Sequence, residues 1–169
     1  MRRMVAVIGN GEADPRRDRL AEEIGAMIVR SGCGLVCGGL GGVMAAACRG
    51  ASAARAGAAT PIVAILPGTD KREANPFADI VIPSGLGYAR NLLVVLAADA
   101  VIAIGGQSGT LSEIAHAWQL GKPLCALADV AGWAASLAGK PIDDKRADVV
   151  FAAATVAEAE AWLTRILSA

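Results

Sequence analysis

The segment Gly105-Gly106-Gln107-Ser108-Gly109-Thr110 joins an apolar run to a helix-like pattern. Three glycines and two hydroxyls at one helix start exceed what a turn requires. The first turn of a helix presents N–H groups without partners and a partial positive charge. Glycines let an anionic ligand come close to that backbone, so the chemistry on offer is phosphate binding. Gly105, Gly106, Ser108, Gly109 and Thr110 are the candidate contacts. Two further loops, Gly9-Asn10-Gly11 and Gly38 to Gly42, add Gly9, Asn10, Gly11, Gly39, Gly41 and Gly42 as candidates. A tight turn would account for Gly9-Asn10-Gly11 equally well. There is no G-x-G-x-x-G with an acidic residue about 20 positions on, and no G-x-x-x-x-G-K-S/T, so NAD and Walker-type ATP sites are not supported.

Two charged residues stand near this pattern. Thr110-x-x-Glu113 reads as a capping box, with the carboxylate folded back onto the helix start. Arg90 falls in the first turn of an expected helix, where a cation opposes the helix dipole. It is either a surface arginine or one that has a partner elsewhere. His116 reads as a surface or packing residue. Cys33, Cys37, Cys48 and Cys125 form no C-x-x-C pair and have no histidine at zinc-finger spacing, so no metal site is expected. They read as small buried hydrophobes.

These residues need a scaffold, and the chain supplies short β-branched runs alternating with helical patterns. Strands are expected at Met4–Ile8, Gly34–Cys37, Ile62–Leu66, Asp79–Ile82, Ala100–Ile104, Leu124–Leu127 and Asp148–Phe151. Asp14 and Pro15 open the first helix as cap and first residue, and Gly32 ends it. Further helices are expected from Val43 to about Arg55, from Tyr88 to Ala98, and from the Gly105 loop to Leu120. Residues 129–146 are hard to read beyond a short helix at Trp133–Leu137. Thr155-x-x-Glu158 opens a last helix with Trp162, Leu163, Ile166 and Leu167 on its apolar stripe. Trp118, Trp133 and Trp162 read as packing or interface residues. Lys71, Arg72 and Glu73 form a solvated loop within reach of the crevice as a lid. The expectation is one doubly wound, Rossmann-like α/β domain over residues 1–169, with a mainly parallel sheet of about seven strands. Its ligand crevice lies beyond the carboxyl ends of the strands.

Composition narrows the classes. The 169 residues are 54% hydrophobic and 19% charged, and the 16 basic and 16 acidic side chains cancel. Disorder needs low hydrophobicity and high net charge, and neither holds. No field favours nucleic acid or an anionic membrane. No apolar run reaches the roughly 18 residues of a membrane span. The start of the chain is too short in apolar residues for a signal peptide, which suggests a cytoplasmic protein. The chain holds 37 alanines and 20 glycines, so its core fills by close backbone approach more than by large side chains.

The combined motifs resemble a known family. Gly105-Gly106-x-x-Gly109-Thr110-x-x-Glu113 is similar to the GGxGTxxE motif of the lysine decarboxylase-like proteins, which include the LONELY GUY phosphoribohydrolases. Gly38-Gly39-Leu40-Gly41-Gly42-Val43-Met44 looks like that family's GGGxxGLM segment. The family's arginine precedes the motif glutamate by 23 residues, as Arg90 precedes Glu113. Asp99 also matches and reads as structural. The resemblance covers roughly Val5 to Pro123. Ile104 stands where the phosphoribohydrolases have proline, Arg90 sits in Gly87-Tyr88-Ala89-Arg90-Asn91, and the first loop is Gly-Asn-Gly. These departures look more like the sister group that includes the molybdenum cofactor carrier protein. No pyridoxal-binding lysine is evident, so lysine decarboxylation is not implied.

The resemblance implies two functions. In one, the chain is a binding module that holds the phosphate of a nucleotide or of the molybdenum cofactor's pterin, with no required cofactor of its own. In the other, it hydrolyses the N-glycosidic bond of a nucleoside 5′-monophosphate. Glu113 would then act near the anomeric carbon and Arg90 would orient substrate or carboxylate. Only one good carboxylate is in view, whereas glycoside hydrolysis ordinarily uses two. The partner in either case is a small phosphorylated ligand, not nucleic acid or membrane. The resemblance further implies a homo-oligomer, dimer or tetramer, and the apolar helices after Val43 and Tyr88 agree.

Overall fold

The computed structural model describes residues 3–55 and 60–168. Seven strands form one parallel sheet: β1 (Met4–Gly9), β2 (Gly34–Cys37), β3 (Ile62–Leu66), β4 (Ile80–Pro83), β5 (Ala100–Ile104), β6 (Leu124–Leu127) and β7 (Phe151–Ala153). Their order across the sheet is β4-β3-β2-β1-β5-β6-β7. The central strands are near-continuous apolar runs because helices cover both faces. Alternate residues divide between two cores. Val5, Val7, Leu35, Ile102 and Ile104 meet α1 (Pro15–Arg30), α2 (Gly42–Ala54) and α6 (Val156–Ser168). Ala6, Ile8, Val36, Val101 and Ala103 meet α3 (Arg90–Leu96), α4 (Ser108–Gln119) and α5 (Trp133–Leu137). No helix among the described residues is long and apolar enough to cross a membrane.

The small-residue composition has a local use. A methyl group on Gly25 of α1 would fall on the Ala47 carbonyl of α2, and one on Gly50 of α2 would fall on the Glu22 carbonyl of α1. The two helices therefore touch backbone to backbone. Asp14 caps α1 as expected, its carboxylate accepting the N–H groups of Arg16 at 3.1 Å and Arg17 at 2.9 Å.

Several boundaries differ from expectation, among them that of the fourth strand, which is Ile80–Pro83 and not Asp79–Ile82. The last strand is Phe151–Ala153, not Asp148–Phe151. Val150 exchanges backbone bonds with Gly139 and Lys140, and the ladder to β6 begins only at Cys125 and Phe151. Gly87–Ala89 is a 3-10 turn, and the α-helix starts at Arg90. The segment 129–146 acquires a clear role. Asp143 accepts the Trp118 indole N–H at 2.8 Å, and the Arg146 guanidinium lies 4.4 Å from the centre of the Trp118 ring. The loop is thereby fastened to the end of α4, and Trp118 is a core residue.

Candidate functional site

The strand order reverses between β1 and β5. The chain leaves β1 toward β2 and leaves β5 toward β6, which opens a crevice at their carboxyl ends. All three glycine loops meet there, and Asn10 joins them. Its side-chain oxygen accepts the Gly106 N–H at 2.6 Å, and its backbone oxygen accepts the Val43 N–H at 3.0 Å. The start of α2 is thus closed by protein. Gly9 leaves no room for a side chain, because a Cβ would stand 2.5 Å from the Ile104 carbonyl oxygen.

The start of α4 is arranged differently. Its cap, Gln107, makes no side-chain bond to the helix. The first intrahelical bond runs from the Leu111 N–H to the Gln107 carbonyl at 2.9 Å. The N–H groups of Ser108, Gly109 and Thr110 precede that bond, and all three residues line a cavity of about 240 Å³. Gly9, Asn10, Gly11, Arg90 and Glu113 line it too. Gly39, Gly41, Gly42, Gly105 and Gly106 lie behind this wall and shape the loops. Gly105 has φ +61 and Gly106 φ +101, conformations that side chains disfavour. Lys71, Arg72 and Glu73 do not line the cavity. A wider groove of about 520 Å³ crosses α1, α2 and α6, but Glu22 on its wall is already paired with Arg49 at 2.9 Å and none of the glycine loops opens into it.

Arg90 and Glu113 meet across the cavity, with Nη1 and Oε1 3.4 Å apart. Only 8% of Arg90 and 5% of Glu113 are exposed. Glu113 does not fold back onto the helix start, since Thr110 is already inside α4 and cannot act as its cap. Burial pushes the Glu113 carboxyl up to about 7, while the neighbouring guanidinium draws it down. Arg90 is under-partnered: its Nε is buried without a hydrogen bond. Its dipole-opposing place at the start of α3 is explained by this inward pairing. Asp99 lies at the opposite end of the sheet, where it accepts the Met4 N–H at 2.7 Å and is structural.

Gly38, Asn91, Tyr88 and Trp133 were not among the site residues expected from the sequence. A Cβ on Gly38 would fall on the Arg90 guanidinium, so glycine there makes room for the charge. Adjacency to the GG pair was the available signal. Asn91 ties α3 to α4 through the Gly109 carbonyl at 3.2 Å and the Ser112 hydroxyl at 2.8 Å. Tyr88 lines the cavity mouth and is 88% exposed. Trp133, read as a packing or interface residue, is 42% exposed beside the start of α4. The four cysteines are buried, with the Cys37 and Cys48 sulfurs 3.4 Å apart. No metal-ligating cluster occurs among the described residues.

This sheet order, with the Gly105–Glu113 segment at its switch point, defines a Rossmann-like protein of the LOG type. More narrowly, the chain belongs to the SLOG cluster4 family, whose model matches residues 2–160. An uncharacterized protein of Archaeoglobus fulgidus is 45% identical over 123 residues, covering 73% of this chain and 78% of that one. The molybdenum cofactor binding protein of Rippkaea orientalis is 31% identical, covering 99% of this chain and 98% of its own, with a TM-score of 0.86. The molybdenum cofactor carrier protein of Chlamydomonas reinhardtii is 28% identical over 100% of both chains, with a TM-score of 0.80.

Proposed function

We propose that this chain is a carrier-like binding protein for a small phosphorylated ligand of nucleotide or molybdopterin type. The observation that carries the reading is the uncapped start of α4, which opens into the same cavity as a buried, under-partnered arginine. Backbone N–H groups of Ser108, Gly109 and Thr110 hold the phosphate, and Arg90 contacts the ligand beyond it. Likeness to two molybdenum cofactor binding and carrier proteins supports the cargo class. Exposed apolar side chains support self-association. Ile80 and Ile82 of β4 pair in register with Val63 and Ile65 of β3, and so share the face that bears exposed Leu92 and Leu96 of α3.

The test is thermal denaturation with inorganic phosphate, nucleoside monophosphates and molybdopterin, beside their dephosphorylated forms. A ligand at 100 times its Kd adds about 2.7 kcal/mol. For a domain of this size that is a Tm rise of roughly 5–11 °C. No rise with any phosphorylated compound would refute the reading. Light scattering that shows only monomer would refute self-association.

A hydrolase is the second reading, favoured by a carboxyl that titrates near neutral pH, where acid–base catalysis is most effective. Release of free base from AMP or a related monophosphate, abolished in Glu113→Gln, would replace the carrier reading with this one. Glu113 is the sole carboxylate on the cavity wall, which weighs toward binding.

A further inference from the structure

Two cavities meet at one helix start. The second, of about 400 Å³, lies beyond Gln107 and Ser108 from the first and is lined by Gly106, Gly132, Trp133 and Ser136 as well as those two residues. Trp133 is its one large side chain. Of the three tryptophans it alone is exposed, at 42% against 2% for Trp118 and 4% for Trp162. Its backbone is firmly placed. The Trp133 N–H donates to the Gly106 carbonyl at 3.1 Å and the Ala134 N–H to the Gly105 carbonyl at 2.9 Å. Gly132 sits against Gly105 and Gly106 so closely that a side chain there would collide with their backbone. The backbone that carries the ring is therefore fixed beside the start of α4. Ser136 already bonds the Gly132 carbonyl at 3.1 Å, and Trp133 supplies the aromatic surface of this cavity.

Charge supplies an independent constraint. Among the described residues, Arg90 on the first cavity is the single lysine or arginine that lines either one, and Glu113 opposes it. A terminal phosphate monoester brings up to two negative charges to one phosphorus. A bridging phosphate brings one. A single charge, or two charges spread over two phosphorus atoms, suits a site built from backbone dipoles with one cation already paired to Glu113.

We propose that the ligand phosphate is a bridge: a phosphodiester or pyrophosphate at the start of α4, with one substituent beside Arg90 and a planar heterocycle stacked on Trp133. This rests on the reading of that helix start as the phosphate site. The two cavities adjoin through Gln107 and Ser108 at the start of α4, so one ligand bridging that helix start can reach both.

Calorimetry would compare inorganic phosphate, AMP and GMP with the 5′–5′ pyrophosphate-linked adenine and guanine dinucleotides. The native chain, Trp133→Leu and Trp133→Phe would be measured alike. A dinucleotide should bind about tenfold tighter than its monophosphate or better, as expected for one added base–aromatic stack. It should also quench tryptophan fluorescence. Trp133→Leu should erase the gain while leaving monophosphate affinity and Tm in place, and Trp133→Phe should restore most of it. The proposal falls if dinucleotides bind no tighter than monophosphates, or if Trp133→Leu weakens both equally. If monophosphates and phosphate also fail to bind, the phosphate site itself is refuted and the proposal goes with it.

Discussion

Replacing Glu113 by glutamine should make the protein more stable at alkaline pH, a direction opposite to that of most buried ion pairs. The carboxyl is buried beside Arg90, and burial outweighs the attraction, raising its folded value from 4.5 to about 7. An acid whose folded value is raised binds its proton more tightly in the native state. Its contribution is therefore complete below 4.5 and is lost as pH rises through 7. With those two values, the linkage relation removes roughly 2–3 kcal/mol between pH 5 and pH 8. For a chain of this length that corresponds to a Tm change of about 5–10 °C. Other groups titrate over the same range, so the measurement is the difference between the native chain and Glu113→Gln. Urea unfolding at pH 5, 6, 7 and 8 would give it. The two should nearly coincide at pH 5, and the variant should lead increasingly toward pH 8. Parallel curves would refute the argument, because they would mean that Arg90 fully offsets the desolvation of the carboxylate.

Gly38→Ala should separate binding from folding. The added methyl meets the mobile end of Arg90, not backbone, so the fold should survive with a small loss of Tm. Displacing the guanidinium should lower affinity for the phosphorylated ligand about tenfold or more, a loss of about 1.4 kcal/mol by calorimetry. Gly50→Ala should do the reverse. Its methyl meets the Glu22 carbonyl of α1, which cannot swing aside, and overpacking of this kind costs about 1–3 kcal/mol in denaturant unfolding. Ligand affinity measured well below the Tm should be unchanged.

Much of the scaffold was legible because periodicity and caps act locally. Asp14-Pro15 marks the start of α1 to the residue, and each central strand is an unbroken apolar run. The last strand was misplaced because Val149 and Val150 look more strand-like than Ala152 and Ala153. Pairing with Lys140, a partner invisible to periodicity, decided the matter. The Arg90–Glu113 pair was suggested by an arginine in a position the helix dipole disfavours and by its spacing to the glutamate. Burial of that pair, and the room Gly38 makes for it, depend on three chain segments arriving together. Trp133 was read as a packing or interface residue because tryptophan is usually covered. Its exposure follows from Gly132, whose contact with Gly105 turns the helix start outward.

Asn10 bonds the β5 loop with its side chain and the start of α2 with its backbone. The floor of the crevice is thereby preorganised. The entropy lost in ordering three loops is lost when the chain folds, not when a ligand arrives. Association should then be governed by diffusion and desolvation, with no slow loop-closing step, and affinity should be set by the rate of release. A protein that receives a cargo and hands it on benefits from that arrangement, since a recipient can compete for the ligand without waiting for the site to open.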